Sequence, residues 1–271
     1  MSGAPSDTPG CPEPEANRYE TLDAPALRAL LAQRDAQLAE QADAMQEWMH
    51  AVSHDLRAPL RHITSYGPLV SELLQEAPGL EAEARQEALA FLATMDQSAR
   101  RMGRMLEGLL VLSRIARAPL RRESVDLAAL VEEARAAQAA AAQGRAVQWQ
   151  MAPDLPVVQG DAPLLRQMLA ELLGNALKFT RGRDPACIAV GGERGADGRV
   201  TLTVRDNGAG FNPAQAAGLF GVFQRLHRES EFEGVGAGLA AVRAIARRHG
   251  GEASATAAVG EGCTVRVSWP G

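Results

Sequence analysis

The sequence predicts a molecule in two parts: a long α-helical hairpin that assembles with a second copy as a dimeric four-helix bundle, followed by an α/β sandwich. Three observations predict it. Two stretches of the 271 residues carry apolar side chains at seven-residue spacing and are parted by Ala77-Pro78-Gly79. Beyond Ala118-Pro119 the pattern changes to short alternating runs interleaved with helix-length segments. Apolar residues make up 46% of the chain but aromatics only 4%, so Leu, Ala and Val must fill the core.

Residues 1–23 hold Pro5, Pro9, Pro12 and Pro14 among acidic and small residues, and are expected to form a disordered tail because they offer little apolar surface to bury. From Ala24 a helix is expected. Leu31, Leu38, Met45 and Val52 make one row at seven-residue spacing, and Ala42, Met49 and Leu56 a second, a coiled-coil seam that runs into His54. Pro59 lies inside this helix, where it removes a backbone donor and meets the carbonyl four residues back, so a bend is expected there. The second helix runs to about Ala118, with Leu92, Ala99 and Leu106 in one row and Met95, Met102 and Leu109 in the other. One hairpin leaves a wide apolar stripe; two hairpins bury it, which predicts a homodimer. Residues 24–119 are therefore read as the hairpin and 120–271 as the second domain.

In the second domain a short strand around Val125 leads into an Ala-rich helix over 127–142. Val147 to Met151 alternates as a strand. Asp161 is placed to cap a helix from Ala162 to Phe179. Ile188 to Val190 and Arg199 to Arg205 read as a hairpin around Ala196-Asp197-Gly198. A helix over 238–249 stops at Gly250-Gly251, and strands near 252–257 and 263–268 complete the sheet.

A formal charge of -5 argues against nucleic acid as a partner. Cys11, Cys187 and Cys263 form no CxxC pair, which fits a reducing cytoplasm, with Cys187 and Cys263 as small apolar filler in strands. No apolar run approaches the ~20 residues of a membrane span, and the start of the chain does not read as a secretory signal.

Five blocks carry the chemistry. In Ser53-His54-Asp55-Leu56-Arg57-Ala58-Pro59-Leu60, His54 offers an imidazole that is a good nucleophile near pH 7, and Asp55 a carboxylate able to hold its ring N–H. A His-Asp pair on a helix is, by itself, usually a solvated polar face. In Glu171-Leu172-Leu173-Gly174-Asn175-Ala176-Leu177-Lys178-Phe179, the residues Glu171, Asn175 and Lys178 fall on one helical face. Asn175 supplies a hard oxygen suited to Mg²⁺, Lys178 a charge for a phosphate, and Phe179 a ring beside them. Asp206-Asn207-Gly208-Ala209-Gly210 is an acidic glycine turn after an alternating strand. Leu219 to His227 carries Phe220, Phe223 and Arg225. Gly234-Val235-Gly236-Ala237-Gly238-Leu239 opens a helix, where backbone N–H groups bind phosphate oxygens.

In this order the blocks resemble the transmitter module of bacterial sensor histidine kinases, and the stretch from Phe223 to His249 is most similar to the phytochrome-like ones. The likeness covers roughly 24–271 and leaves out a sensor region. It implies the ATP-binding fold of the superfamily shared with gyrase and chaperone ATPases. It further implies ATP and Mg²⁺ as cofactors, phosphorylation of His54 with Asp55 beside it, and transfer to an aspartate on the receiver domain of a response regulator. Asp206 would accept from the adenine amine. Glu171, Asn175, Lys178, Phe179, Gly208, Gly210, Arg225, Gly234, Gly236, Gly238 and Leu239 would complete the nucleotide site, with Asn175 and Glu171 at the metal. Phe220 and Phe223 would clamp a lid onto the domain or the bundle. A separate sensor protein is a further implied partner.

The chain departs from the family pattern at three places. Glu171 stands where many such kinases have Asn. Glu there activates water in the ATPase branches, which leaves an ATP-driven conformational switch as an alternative; an inactive dimeric scaffold that gathers regulators on its bundle is a third. Ala58 stands where relatives that dephosphorylate their partner carry Thr, Asn or Gln, which implies weak phosphatase activity. Val235 and Ala237 stand where relatives often have Thr and Ile.

Overall fold

Helix periodicity and its interruptions set the architecture. A computed structural model describes residues 23–271 except Pro78 and Glu229, without the side chains of 37–51. The expected tail lies outside the described residues, and the side chains of the seam residues Leu38, Ala42, Met45 and Met49 and of His50 lie outside the described side chains. The described residues fall into two units, divided between Trp48 and Met49. In the first, Asp23 accepts the Ala26 N–H at 2.9 Å, an N-cap for helix α1 (Ala24–Glu76). Helix α1 continues through Pro59 and Pro68.

In the second unit, helix α2 (Ala82–Arg117) follows the break at Ala77. One of its two expected rows turns inward: Ala99 is buried, and Leu92 and Leu106 are half-buried. In the other row Met95 and Met102 remain 54% and 46% exposed. Leu56, Leu69, Leu73 and Phe91 are exposed as well, so both helices present apolar side chains to the outside.

Strand β1 (Glu123–Asp126) pairs antiparallel with β3 (Val157–Gly160), with Val125 opposite Val158. Between them come α3 (Leu127–Ala137), α4 (Ala139–Ala142) and β2 (Val147–Met151). Helix α5 (Ala162–Phe179) precedes β4 (Ala186–Arg194) and β5 (Arg199–Asp206). A long connection, with a short 3-10 helix at Pro213–Gly218, leads to α6 (Gly238–Arg248), β6 (Glu252–Ala258) and β7 (Gly262–Pro270). The main sheet has the order β2-β4-β5-β7-β6, parallel only between β2 and β4.

One face of that sheet is buried. Ile188, Val190, Val200, Leu202, Val204, Val267 and Trp269 point into a core shared with Leu165, Leu169, Leu173 and Ile245 of α5 and α6. Alternation along β4 and β5 leaves the other face half-exposed, the pattern of a sheet covered by helices on one side. The core reaches back into α2 through buried Ile115. Arg248, at the end of α6, donates to the carbonyls of Ala116 and Ala118 and so closes the C-terminus of α2.

One expectation needs correction, and one strand is additional. The helix predicted over 127–142 is broken at Gln138 into α3 and α4. Helix α3 is held by Leu127, Leu130, Val131 and Ala134, all buried, whereas α4 has no buried residue and rests on the core only through half-buried Ala142. Strand β3 was not foreseen; four residues are too few for a periodicity to appear.

Candidate active site

Helix α5 is fixed at its start by Asp161, whose Oδ1 accepts the Leu164 N–H at 3.1 Å. Its apolar face, including Leu165, Leu169, Leu172 and Leu173, packs into the core. That register turns Glu171, Asn175 and Lys178 away from the core, each half-buried, along one wall of a cavity of about 330 Å³. Phe179, Asp206, Gly210, Arg225, Gly234, Gly236, Gly238 and Leu239 line the same cavity. Of the residues nominated for nucleotide, Gly208 alone is not on its wall. Its N–H instead donates to Asp206 Oδ1 at 2.8 Å and holds that carboxylate in place.

The electrostatics of the cavity follow from burial. Desolvation pushes the Asp206 carboxyl above its ordinary range, opposed by N–H bonds from Gly208 and Cys263. Desolvation also raises Glu171, opposed by the charge of Lys178. Lys178 is lowered by burial first and then by Arg225, with Glu233 and Glu171 opposing. Its Nζ stands 4.4 Å from the centre of the Phe179 ring. The cavity thus carries a mostly apolar interior, one buried hydrogen-bond acceptor in Asp206, and cations gathered near Glu171.

The turn after Asp206 needs glycine. Gly210 has φ of +61°, and a β-carbon there would stand 1.9 Å from the Ala258 carbonyl oxygen. In the following segment Arg225 donates to the carbonyls of Phe232, at 2.7 Å, and Gly234. Arg181 at the end of α5 pairs with Glu233, at 3.0 Å for one of its bonds. The segment between β5 and α6 is therefore tied to α5 by charge and to itself by the Arg225 guanidinium. Phe220 is buried in the domain, and the Phe223 ring reaches α2 at Gly108.

A second cavity of about 300 Å³ shares Glu171, Asn175, Lys178 and Glu233 with the first and adds Arg145 and Arg181. Glu171 and Asn175, one helical turn apart, offer a carboxylate and an amide oxygen to a hard cation. Among the described residues no cluster of three His, Cys, Asp or Glu side chains forms. A Mg²⁺ ion here would take its remaining ligands from phosphate oxygens and water, as that ion does.

His54 and Asp55 are outside the cavity lining, on α1. Their side chains are 76% and 80% exposed, with His54 Nδ1 3.2 Å from Asp55 Oδ1. Ala58 is exposed, as is His62, whose ring stacks on Tyr66 at 5.8 Å. Cys263 sits in β7 as expected and also lines the cavity, opposite Asp206 in the β5–β7 register; burial followed by the Asp206 charge pushes its thiol up to about 12. His227, Phe232 and Glu233 also line the cavity without having been singled out as site residues.

Residues 160–271 match the family model described as histidine kinase-, DNA gyrase B-, and HSP90-like ATPase. Residues 44–118 match the His Kinase A phospho-acceptor domain. The chain belongs to the histidine kinases. Drug sensory protein A of Synechocystis sp. is 30% identical over 233 residues, which are 82% of this chain and 34% of that protein. Cyanobacterial phytochrome B of Nostoc sp. is 29% identical over 238 residues, 86% of this chain and 30% of that protein. The chain thus spans about a third of the length of each of these two relatives. The crystal structure of full-length ShkA in complex with AMPPNP superposes with a TM-score of 0.57 at 26% identity, covering 83% of this chain and 45% of that one. In this chain the phospho-acceptor match contains His54, and the ATPase match begins at Gly160, just before the Asp161 cap. Among the described residues no helix is long and apolar enough to cross a membrane.

Proposed function

We propose that this chain is an ATP- and Mg²⁺-dependent protein histidine kinase that phosphorylates itself on His54 and passes the phosphoryl group to an aspartate of a response regulator. The observation that carries the reading is the single cavity into which α5, the Asp206 turn, Arg225 and the Gly234–Gly238 stretch all converge. Residues 24–119 hold the acceptor and 120–271 the nucleotide. Asp206 accepts from the adenine amine, Lys178 and the start of α6 hold phosphate oxygens, and Asn175 with Glu171 holds the metal.

His54 Nδ1–H, held by Asp55, leaves the Nε2 lone pair free to attack the γ-phosphorus. The bond from phosphorus to the β-bridging oxygen breaks, ADP departs with that electron pair, and Asp55 takes up the Nδ1 proton. Catalysis is positioning and charge neutralisation. The exposed apolar side chains of α1 and α2, Met95 and Met102 among them, are the surface a second copy covers in a four-helix bundle. The cytoplasm, where ATP and response regulators meet, is the compartment this reading assigns, and free Cys187 and Cys263 are compatible with it. A separate sensor protein supplies the input.

Incubation with γ-labelled ATP tests the reading. Acid-labile, alkali-stable label on the protein, absent in His54→Gln and chased onto a response regulator, is the expected result. A second reading is favoured by Glu171, a carboxylate of raised proton affinity reached from both cavities: an ATPase in which it activates water. Free phosphate without labelled protein would select that reading.

A further inference from the structure

His227 has no role in the account so far, yet it joins three parts of the cavity. It lies between Arg225 and Gly234, half-buried, with its ring among aromatic neighbours. The His227 and Phe179 ring centres are 5.4 Å apart, His227 and Phe232 5.1 Å, and Phe179 and Phe232 4.9 Å. The three rings all line the cavity that holds Asp206. Phe179 belongs to α5, whereas His227 and Phe232 belong to the connection before α6. One ring is therefore fixed by the core and two are carried by the segment that covers the cavity.

The His227 imidazole is oriented as well as stacked. Its Nε2 is 2.8 Å from the Gly210 carbonyl oxygen. A carbonyl can only accept, so Nε2 carries the proton and donates. Gly210 closes the turn that begins at Asp206, and Gly208 of that turn holds the Asp206 carboxylate. The bond from His227 ties the covering segment to the backbone that carries the buried Asp206 carboxylate. An apolar cavity with a buried carboxylate and an aromatic wall suits a flat, nitrogen-bearing ring.

We infer that His227 is a positioning residue for the purine: with Phe232 it forms the carried half of an aromatic wall whose fixed half is Phe179, and its bond to Gly210 latches the covering segment beside Asp206. The inference rests on the proposed nucleotide site and names a residue within it. Stacking and latching are separable by substitution. H227F keeps a ring and loses the donor; H227Q keeps a donor and loses the ring; H227A loses both.

Calorimetric titration of ADP into the full chain reads the outcome. Stacking of a base on one aromatic side chain makes H227A weaker for ADP by about tenfold, with H227F and H227Q each between it and the parent. H227A, which loses the ring contacts and the bond to Gly210, is expected to melt a few degrees below the parent, with H227F and H227Q between. A graded series of affinities, measured well below every melting temperature, supports positioning. An H227A affinity within about twofold of the parent overturns the inference and leaves nucleotide binding standing. Failure of the parent protein to bind ADP brings down both. Should H227A fail to fold, H227F and H227Q decide: parental affinity in both overturns it.

Discussion

Gly108 of α2 lies so close to Ala237 that a β-carbon on Gly108 would stand 2.8 Å from the Ala237 methyl. The edge of the Phe223 ring is 3.8 Å from the same point. Phe223 holds a left-handed φ of +62°, uncommon for a bulky residue, and its N–H donates to the Gly236 carbonyl at 3.0 Å. The Gly234–Gly238 stretch and the covering segment therefore both approach the hairpin at Gly108. With a rise of about 1.5 Å per residue, Arg104 stands as far from the hairpin turn as His54 does, and Gly108 one helical turn further. The α/β domain thus touches α2 near the height of His54.

That contact predicts the effect of Gly108→Leu. An added isobutyl group collides with Ala237 and Phe223 and separates α2 from the glycine stretch, while the cavity itself contains no part of Gly108. Phosphorylation of His54 should fall by about tenfold, with ADP affinity within about twofold of the parent. Faster labelling of His54 would instead make the contact a brake.

Asp55→Asn tests the proton path. The His54–Asp55 pair is fully on the surface, so its loss should leave the melting temperature unchanged. An amide oxygen can still accept from Nδ1 but cannot take the proton as the ring attacks. The rate of His54 labelling is expected to drop by about 10² to 10⁴, the usual contribution of a positioned acid–base group. Initial rates of label incorporation at saturating ATP check it, and a rate equal to the parent would remove Asp55 from the chemistry.

The legible and illegible parts of this fold divide by range. Helix α5, its Asp161 cap and its polar stripe were readable because all three are set by spacing within one helix. The alternation of β4, β5 and β7 was readable for the same reason. Strand β3 was not: it is defined by pairing with β1, across α3 and β2, and leaves no local pattern. Cys263 reads as an ordinary strand cysteine until the β5–β7 register sets it opposite Asp206. His227 and Phe232 come from a segment without periodicity, and only the folded connection gathers them beside Phe179. The glycines at 208, 210, 234, 236 and 238 signalled a site. What they could not convey was the division of labour, in which Gly208 orients Asp206 and the others line the wall.

Glu171→Asn separates the two readings of the N-terminal wall of the cavity. Burial favours the protonated form of Glu171, which suits a base that takes a proton from water. Asn at this position keeps an oxygen for a cation and loses the base. His54 phosphorylation is expected to persist within about threefold, while release of free phosphate falls by about 10². Parallel measurement of protein label and free phosphate checks it. Loss of both together would make Glu171 an indispensable metal ligand.

His249 predicts an acid-sensitive domain. Its Nε2 accepts the Asp161 N–H at 3.0 Å, and its Nδ1 faces the Ile245 carbonyl at 2.8 Å, so the buried ring is neutral with the proton on Nδ1. Protonating Nε2 would set one N–H against another. Desolvation lowers the affinity for that proton most, and the Arg122 and Arg248 charges lower it further against the Ile245 bond and Asp161. A histidine depressed in the folded state binds its extra proton more readily once unfolded, where its value is 6.5. Its contribution to stability is therefore full above pH 6.5 and is lost as pH falls through the lower, folded value. The melting temperature of the protein should decline from pH 7 to pH 5. Replacing His249 with Gln, which offers an acceptor to Asp161 and a donor to Ile245 without titrating, should flatten that decline while lowering stability at pH 7. Parallel slopes in the two proteins would assign the acid sensitivity to other groups.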